Sequence, residues 1–183
     1  MPYHRPIISA GTHYDLAHLD PVVIETPSDK LGRGIRTWCR FTTHVFTRRP
    51  EGNEPGPFIR DEGRRNRLFC PDRYALSRHL PEAMNRLADP RLHVWETAAE
   101  RNWLHQVQVP LTLDGASISY NVFFAVRKAA RSDPNDVELT VESAYAFDPA
   151  RQPKTRGRML IVGLLAATIE GRRPHTQGAA RNR

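Results

Sequence analysis

From Leu92 to Thr168 the chain is built of short runs rich in β-branched and aromatic residues, set apart by turn signals. These are Leu92–Glu96, Trp103–Val109, Ser117–Arg127, Val137–Ala146 and Arg158–Thr168. Runs of this length and composition read as strands. Asp114-Gly115 is a strong two-residue hairpin signal, and Asp133-Pro134-Asn135-Asp136 marks a second turn. The pattern predicts a β-meander. Its last run holds two tendencies at once: Met159–Val162 favours a strand, whereas Leu164–Ala167 suits a helix.

The first half is more varied. Residues 1–20 read as an irregular N-terminal arm with a turn of helix near Asp15–Leu19, and Val22–Glu25 as a first strand. The segment Ile35–Thr47 contains neither Gly nor Pro and is rich in Thr, Val, Phe and Trp, so it reads as one long strand. Alternation along a strand gives it a core face of Thr37, Cys39, Phe41, Thr43 and Val45. The opposite face carries Arg36, Trp38, Arg40, Thr42, His44 and Phe46.

Residues 48–67 are dense in Pro, Gly and charge and predict an exposed, mobile loop. After a brief strand at Arg67–Cys70, Asp72 is placed to cap a helix running to Ala88. Tyr74, Leu76, Leu80, Met84 and Leu87 recur on it at near-helical spacing, and Pro81 should kink or split it. One main helix and a meander indicate an α+β domain, a curved antiparallel sheet of about five to seven strands with helical cover on one face. The expected organisation is an arm over residues 1–20, a single domain over 21–172 and a disordered basic tail over 173–183.

A chain of 183 residues can bury a sizeable core without disulfide or metal support. Its two cysteines, Cys39 and Cys70, read as free thiols. No apolar run approaches the roughly 20 residues of a membrane span, and the first residues lack the pattern of a secretory signal. The expected location is the cytoplasm, with no membrane partner.

Charge narrows the partners. Lys+Arg number 27 against 20 Asp+Glu, giving a formal charge of +7, and lysine occurs only at Lys30, Lys128 and Lys154. Arginine makes planar bidentate contacts with phosphate and stacks on bases. A nucleic-acid partner is therefore expected, RNA ahead of DNA.

Phosphate-cradling glycine loops, dinucleotide fingerprints and nucleophile elbows are absent from the sequence. Cys39 and His44 are five apart, which on a strand puts them on opposite faces, and the compact spacing of zinc motifs is missing. No metal or other cofactor is expected.

Metal-independent cleavage of RNA needs a base for the 2′-hydroxyl, cations for the phosphorane and an acid for the leaving oxygen. His44 is the candidate proton-transfer group, with Arg40, Arg73 and Lys154 holding phosphate and Tyr145 assisting proton transfer or base contact. Ser77 lies one helical turn from Arg73; Ser143 shares a face with Tyr145, and Glu142 takes the other. Arg36, Trp38, Arg156 and Arg158 are the candidate nucleic-acid contacts. Trp38, Phe46, Trp95 and Trp103 could also stack on unpaired bases without any chemistry.

The strings RFTTHVFTRRP, RLFCPDRYALSRHLP, ERNWL, YNVFFAVRKA and VESAY resemble a widespread group of small uncharacterised bacterial proteins associated with mobile elements. The likeness covers most of residues 15–174. In layout alone the chain is also similar, more distantly, to the barnase/RelE-like ribonucleases, which set basic and proton-transferring residues on an antiparallel sheet. Together these imply a cytoplasmic, toxin-like or mobile-element-associated ribonuclease, with a cognate inhibitor protein as a second partner. The alternative is a non-catalytic nucleic-acid-binding or protein-interaction module with an arginine-rich surface.

Overall fold

The computed structural model describes residues 3–97, 105–113, 116–146 and 154–178. In place of an irregular arm, the chain opens with a hairpin of β1 (Ile7–Ser9) and β2 (Thr12–Tyr14). Ala10 and Gly11, both at positive φ, make its reversal. A 3-10 turn at Ala17–Leu19 follows, and Ile7, Leu16 and Leu19 are buried in the core.

Next come β3 (Val22–Ser28) and β4 (Arg33–Phe41), a 3-10 turn at Thr43–Val45, and three short strands, β5 (Thr47–Arg48), β6 (Phe58–Arg60) and β7 (Asn66–Phe69). Two helices, α1 (Pro71–Ser77) and α2 (Leu80–Asn85), lead to β8 (His93–Thr97), β9 (His105–Leu113), β10 (Ala116–Lys128) and β11 (Val137–Ala146). The chain finishes with β12 (Thr155–Leu160), α3 (Ile161–Ile169) and β13 (Gln177–Gly178).

Eight strands form the main sheet in the order β13-β12-β8-β9-β10-β11-β4-β3, and β5-β7-β6 form a small second sheet. The α+β class and the helical cover agree with expectation. The pairing differs in one place: β11 and β4 run parallel, Val137 opposite Thr37 through Val141 opposite Phe41. Parallel neighbours need a long crossover, and here the small sheet, both short helices and β8–β10 lie between them in sequence.

A local clamp sets this register. Asp136, just before β11, takes a bidentate pair from Arg33 at 2.8 and 2.7 Å and accepts the Arg36 N–H at 2.9 Å. Its own N–H donates to the Arg36 carbonyl. The hydrogen bond from Arg33 holds the Asp136 carboxyl below the ordinary carboxylate range.

The long strand expected over Ile35–Thr47 ends at Phe41. Thr42 accepts the His44 N–H on its side-chain oxygen and starts the 3-10 turn, so a side-chain acceptor outcompetes the ladder. Up to Phe41 the alternation holds: Ile35, Thr37, Cys39 and Phe41 are buried. Beyond it Phe46 is buried as well, not turned outward. Both cysteines are free thiols, and burial pushes the Cys39 thiol up.

Further departures have local causes. Cys70, not Asp72, is the residue before α1; Pro71 occupies the first turn, where its missing N–H costs nothing. Pro81 splits the helix as expected, and α2 restarts with it in its own first turn. The charged 48–67 stretch is not wholly loop, because Phe58–Arg60 and Asn66–Phe69 pair across a tight turn.

The ambiguous last run is both things in succession, β12 and then α3. Gly171, at φ 68°, ends α3: the Arg172 N–H reaches back to the Ala167 carbonyl and the Gly171 N–H to that of Thr168. In the presumed tail, Gln177–Gly178 pair with β12. Residues 179–183, Trp103 and the Asp114-Gly115 turn lie outside the described residues.

The core fills one face of the main sheet, where Phe41, Tyr120, Phe124 and Leu139 meet α2 and α3 through Leu80, Met84, Leu164 and Leu165. No helix among the described residues is long and apolar enough to cross a membrane. Asp136→Ala should cost about 1–3 kcal/mol, the loss expected when a part-buried acceptor is removed from its donors. Urea denaturation checks this, and an unchanged midpoint would show that the clamp does not hold the parallel register.

Candidate acid-base site

The site forms where β4 stops while its parallel neighbour β11 continues. Thr42 is held between the two strands: its N–H donates to the Val141 carbonyl at 3.0 Å and its hydroxyl to the Glu142 carbonyl at 3.0 Å. The next residues turn out of the sheet. Glu62 receives the Thr43 N–H at 2.9 Å and the Thr43 hydroxyl at 3.2 Å, fixing the entrance of the 3-10 turn. His44 therefore sits on a tight turn, not on a strand.

A buried carboxylate orients its ring. His44 Nε2 lies 3.2 Å from Asp61 Oδ2, with the His44 side chain 25% exposed and that of Asp61 1%. Asp61 sits in the turn between β6 and β7, which Arg64 closes at φ 61°. Asp61 Oδ1 accepts the Arg65 N–H at 2.8 Å, and Oδ2 also takes Arg65 Nε at 3.2 Å. Burial alone would push this carboxyl up. The Arg65 N–H, the His44 ring and the Arg65 charge outweigh it and hold Asp61 down to about 2. Asp61 is thus ionised and accepts the Nε2 proton in a hydrogen bond, which leaves Nδ1 as the ring position turned to proton exchange.

The second titratable group comes from a break in the ladder. Between β10 and β11 the register slips: Phe123 faces Ser143 and Phe124 faces Val141, so Glu142 is the extra residue of a β-bulge. Its carboxyl is pushed up by burial, with the Glu62 charge adding to the rise; the charges of His44 and Arg40 pull the other way. Arg40, on the outer face of β4, donates Nε to the Thr140 hydroxyl at 3.0 Å and Nη1 to the Tyr3 hydroxyl at 3.4 Å. Its guanidinium lies 6.0 Å from the Trp38 ring centroid. His4 completes the rim, its Nε2 2.9 Å from the Phe41 carbonyl oxygen and its ring edge-on to Phe46.

Of the residues expected from sequence, His44, Arg40 and Glu142 come together. Arg73 lies beneath the turn in a structural role: its Nη1 donates to the carbonyls of His44 and Thr47, both at 3.0 Å. Ser77 is buried and hydrogen-bonded to His18 and Tyr74. Tyr145 stacks on Phe123 at 5.0 Å farther along β11.

Lys154, Arg156 and Arg158 are exposed at and beside β12, separated from β11 by β8, β9 and β10. Arg36, Trp38 and Arg158 share the sheet face turned away from the core, and Trp95 lies opposite Arg158 on it. Buried Gln106, Asn121 and Phe123 occupy the middle of that face. Sequence reading missed Asp61, Glu62, Tyr3 and His4. Two strand-like runs flanking Asp61-Glu62-Gly63 were the available hairpin signal for Asp61.

Among the described residues no group of three or more His, Cys, Asp or Glu is placed to hold a metal ion. The sequence model of the YjaZ family matches residues 6–169, the whole span from β1 to the end of α3. The chain belongs to the YjaZ family. Searches of curated proteins and of solved structures found no match. The expected likeness to a family of small proteins thus has a match that spans the site, from His44 to Glu142. The layout likeness to barnase/RelE-like ribonucleases receives no support from these comparisons.

In this YjaZ-family chain the Asp61 contacts are strongest while its carboxyl is ionised. A depressed pKa stabilises the fold above the ordinary carboxylate range, and the gain is lost as pH falls from about 4 toward 2. Asp61→Asn should lower stability by about 1–3 kcal/mol at pH 7 and by progressively less as pH drops. Denaturation of both chains across that range tests it; an equal gap at pH 7 and pH 2 would exclude the ionised pair.

Proposed function

We propose that this YjaZ-family chain is a metal-independent ribonuclease whose centre is His44, with Glu142 and Arg40. One observation carries the reading. A surface imidazole is oriented by a buried, ionised Asp61, and a carboxyl biased toward its protonated form lies beside it. An imidazole oriented by an ionised carboxylate, beside a carboxyl that burial pushes up, suits paired base and acid work.

In this mechanism Nδ1 of His44 takes the proton from the ribose 2′-hydroxyl as that oxygen attacks phosphorus. Asp61 stabilises the imidazolium that forms, without itself becoming protonated. Protonated Glu142 gives its proton to the departing 5′-oxygen. The products are a 2′,3′-cyclic phosphate and a free 5′-hydroxyl. Arg40 supplies positive charge to the phosphorane oxygens, and Trp38 and Arg36, on the same strand face, extend the contact along the chain of nucleotides. Arg73 acts indirectly by holding the His44 turn, and the β12 cations serve only for longer RNA.

Purified protein incubated with single-stranded RNA in EDTA should cleave it and leave cyclic phosphate ends. His44→Ala and Glu142→Gln should each slow cleavage by about 10²–10⁴-fold, the usual worth of a general acid or base, while Arg158→Glu changes it little. Intact RNA with folded wild-type protein would remove the enzyme reading. If the RNA were nevertheless bound, with a steep salt dependence that Arg36→Glu and Arg40→Glu weaken, the chain would be a binding module.

A further inference from the structure

The β6–β7 hairpin presents two unlike faces. Its register sets Ile59 opposite Arg67 on one, and Phe58 opposite Leu68 and Arg60 opposite Asn66 on the other. Ile59 packs on the core, and Arg67 donates Nε to the Thr47 hydroxyl at 2.8 Å. Alternation therefore turns Phe58, Arg60 and Asn66 outward. All three are exposed, and Phe58, at 50%, leaves a large apolar ring in water.

The turn between the two strands sorts its charges. Asp61 is buried against His44 and Arg65, and Glu62 reaches back to the N–H and hydroxyl of Thr43. Both acids of Asp61-Glu62-Gly63-Arg64-Arg65 are thus committed to the fold. Arg60 and Arg64 are exposed, and among the described residues no hydrogen bond or ion pair holds either guanidinium. Arg64 also occupies the left-handed region, at φ 61°. Glycine adopts that backbone without a steric penalty, and a long side chain does not. A cation kept at a strained, exposed position with no partner in its own fold points to a partner outside it.

Asp61 ties this surface to the candidate centre, because its carboxylate meets both the His44 ring and Arg65 of the hairpin tip. The row Arg36, Trp38, Arg40 approaches the same histidine along β4. His44 is thus joined to two cationic surfaces, each bearing an aromatic ring. We propose that the outward face of the hairpin is a second grip on single-stranded RNA. Arg60 and Arg64 pair with phosphates, for which a guanidinium offers planar two-point contacts, and Phe58 stacks beneath an unpaired base. Only the position of the cut rests on the reading of His44 as the cleavage centre. On that reading the strand is held on both sides of the scissile phosphate and is cleaved internally.

Fluorescence anisotropy of the full chain with a 2′-O-methyl RNA of about twelve nucleotides tests the grip apart from the chemistry, since that strand carries no free attacking hydroxyl. Saturable binding that weakens as salt rises is expected. Arg64→Gly should weaken it by about tenfold and lower the salt slope by about one. Its Tm should stay level or rise, because glycine relieves the left-handed backbone. Arg60→Gln and Phe58→Ala should each cost about tenfold in affinity. If these losses appear while ordinary RNA stays intact, the grip stands and the cleavage reading alone fails. Three results overturn the grip: no saturable binding by folded wild type, unchanged affinity in both Arg64→Gly and Arg60→Gln, or poly-L-glutamate binding as tightly as the RNA.

Discussion

The parallel contact between β4 and β11 is the constraint on which the rest of this structure depends. It joins the N-terminal pair β3-β4 to the meander and closes eight strands into one sheet over a shared core. Without it Phe41 and Leu139 would belong to two separate and smaller hydrophobic layers. The Asp136 clamp fixes which residues meet, since one carboxylate answers both the Arg33 side chain and the Arg36 backbone. Because the strands run the same way, both chains arrive at one end of the sheet together. There Thr42 leaves the ladder and Glu142 bulges from it.

That end is expensive to build, and the surroundings show how the cost is met. A tight turn exposes carbonyls that a strand would have paired; Arg73 and Arg67 collect those around Thr47. The desolvation felt by Arg67 depresses its guanidinium, as does the charge of Arg73 nearby. Two neighbouring half-buried cations are tolerable because each donates to fixed acceptors. Asp61 is stabilised in the same way, by the backbone N–H and guanidinium of Arg65 and by the His44 ring. The imidazole of His44 is thus oriented by groups that are themselves held.

Much of the fold was legible in the residues. The strand run at Val137–Ala146 matches the observed strand, and Pro81 splits the helical stretch where its ring and missing N–H require. The outward row Arg36, Trp38, Arg40 also followed from alternation. What escaped were events at strand ends. His44 was assigned to a strand because Thr, Val and Phe around it favour one; a single hydroxyl, that of Thr42, offered the backbone a competing partner. Asp61 was hidden in a stretch whose Pro, Gly and charge content reads as loop. Its importance comes from a hairpin that buries it beside a residue 17 positions away. Arg73 looked like a phosphate ligand because nothing local to it reveals the open carbonyls beneath the turn.

The sequence by itself determined the α+β class, the periodicities of the individual elements, the positive charge and the supply of proton-transferring side chains. These are properties of neighbouring residues, set by steric preference and by which positions can be buried. The tertiary structure decided which of those side chains meet. It brought His44 to Asp61 and Glu142 and left Lys154 and Arg158 several strands away. Such meetings depend on strand order and on single-residue breaks in register. The local code is nearly blind to both, because pairing energy arises from partners far apart in the chain.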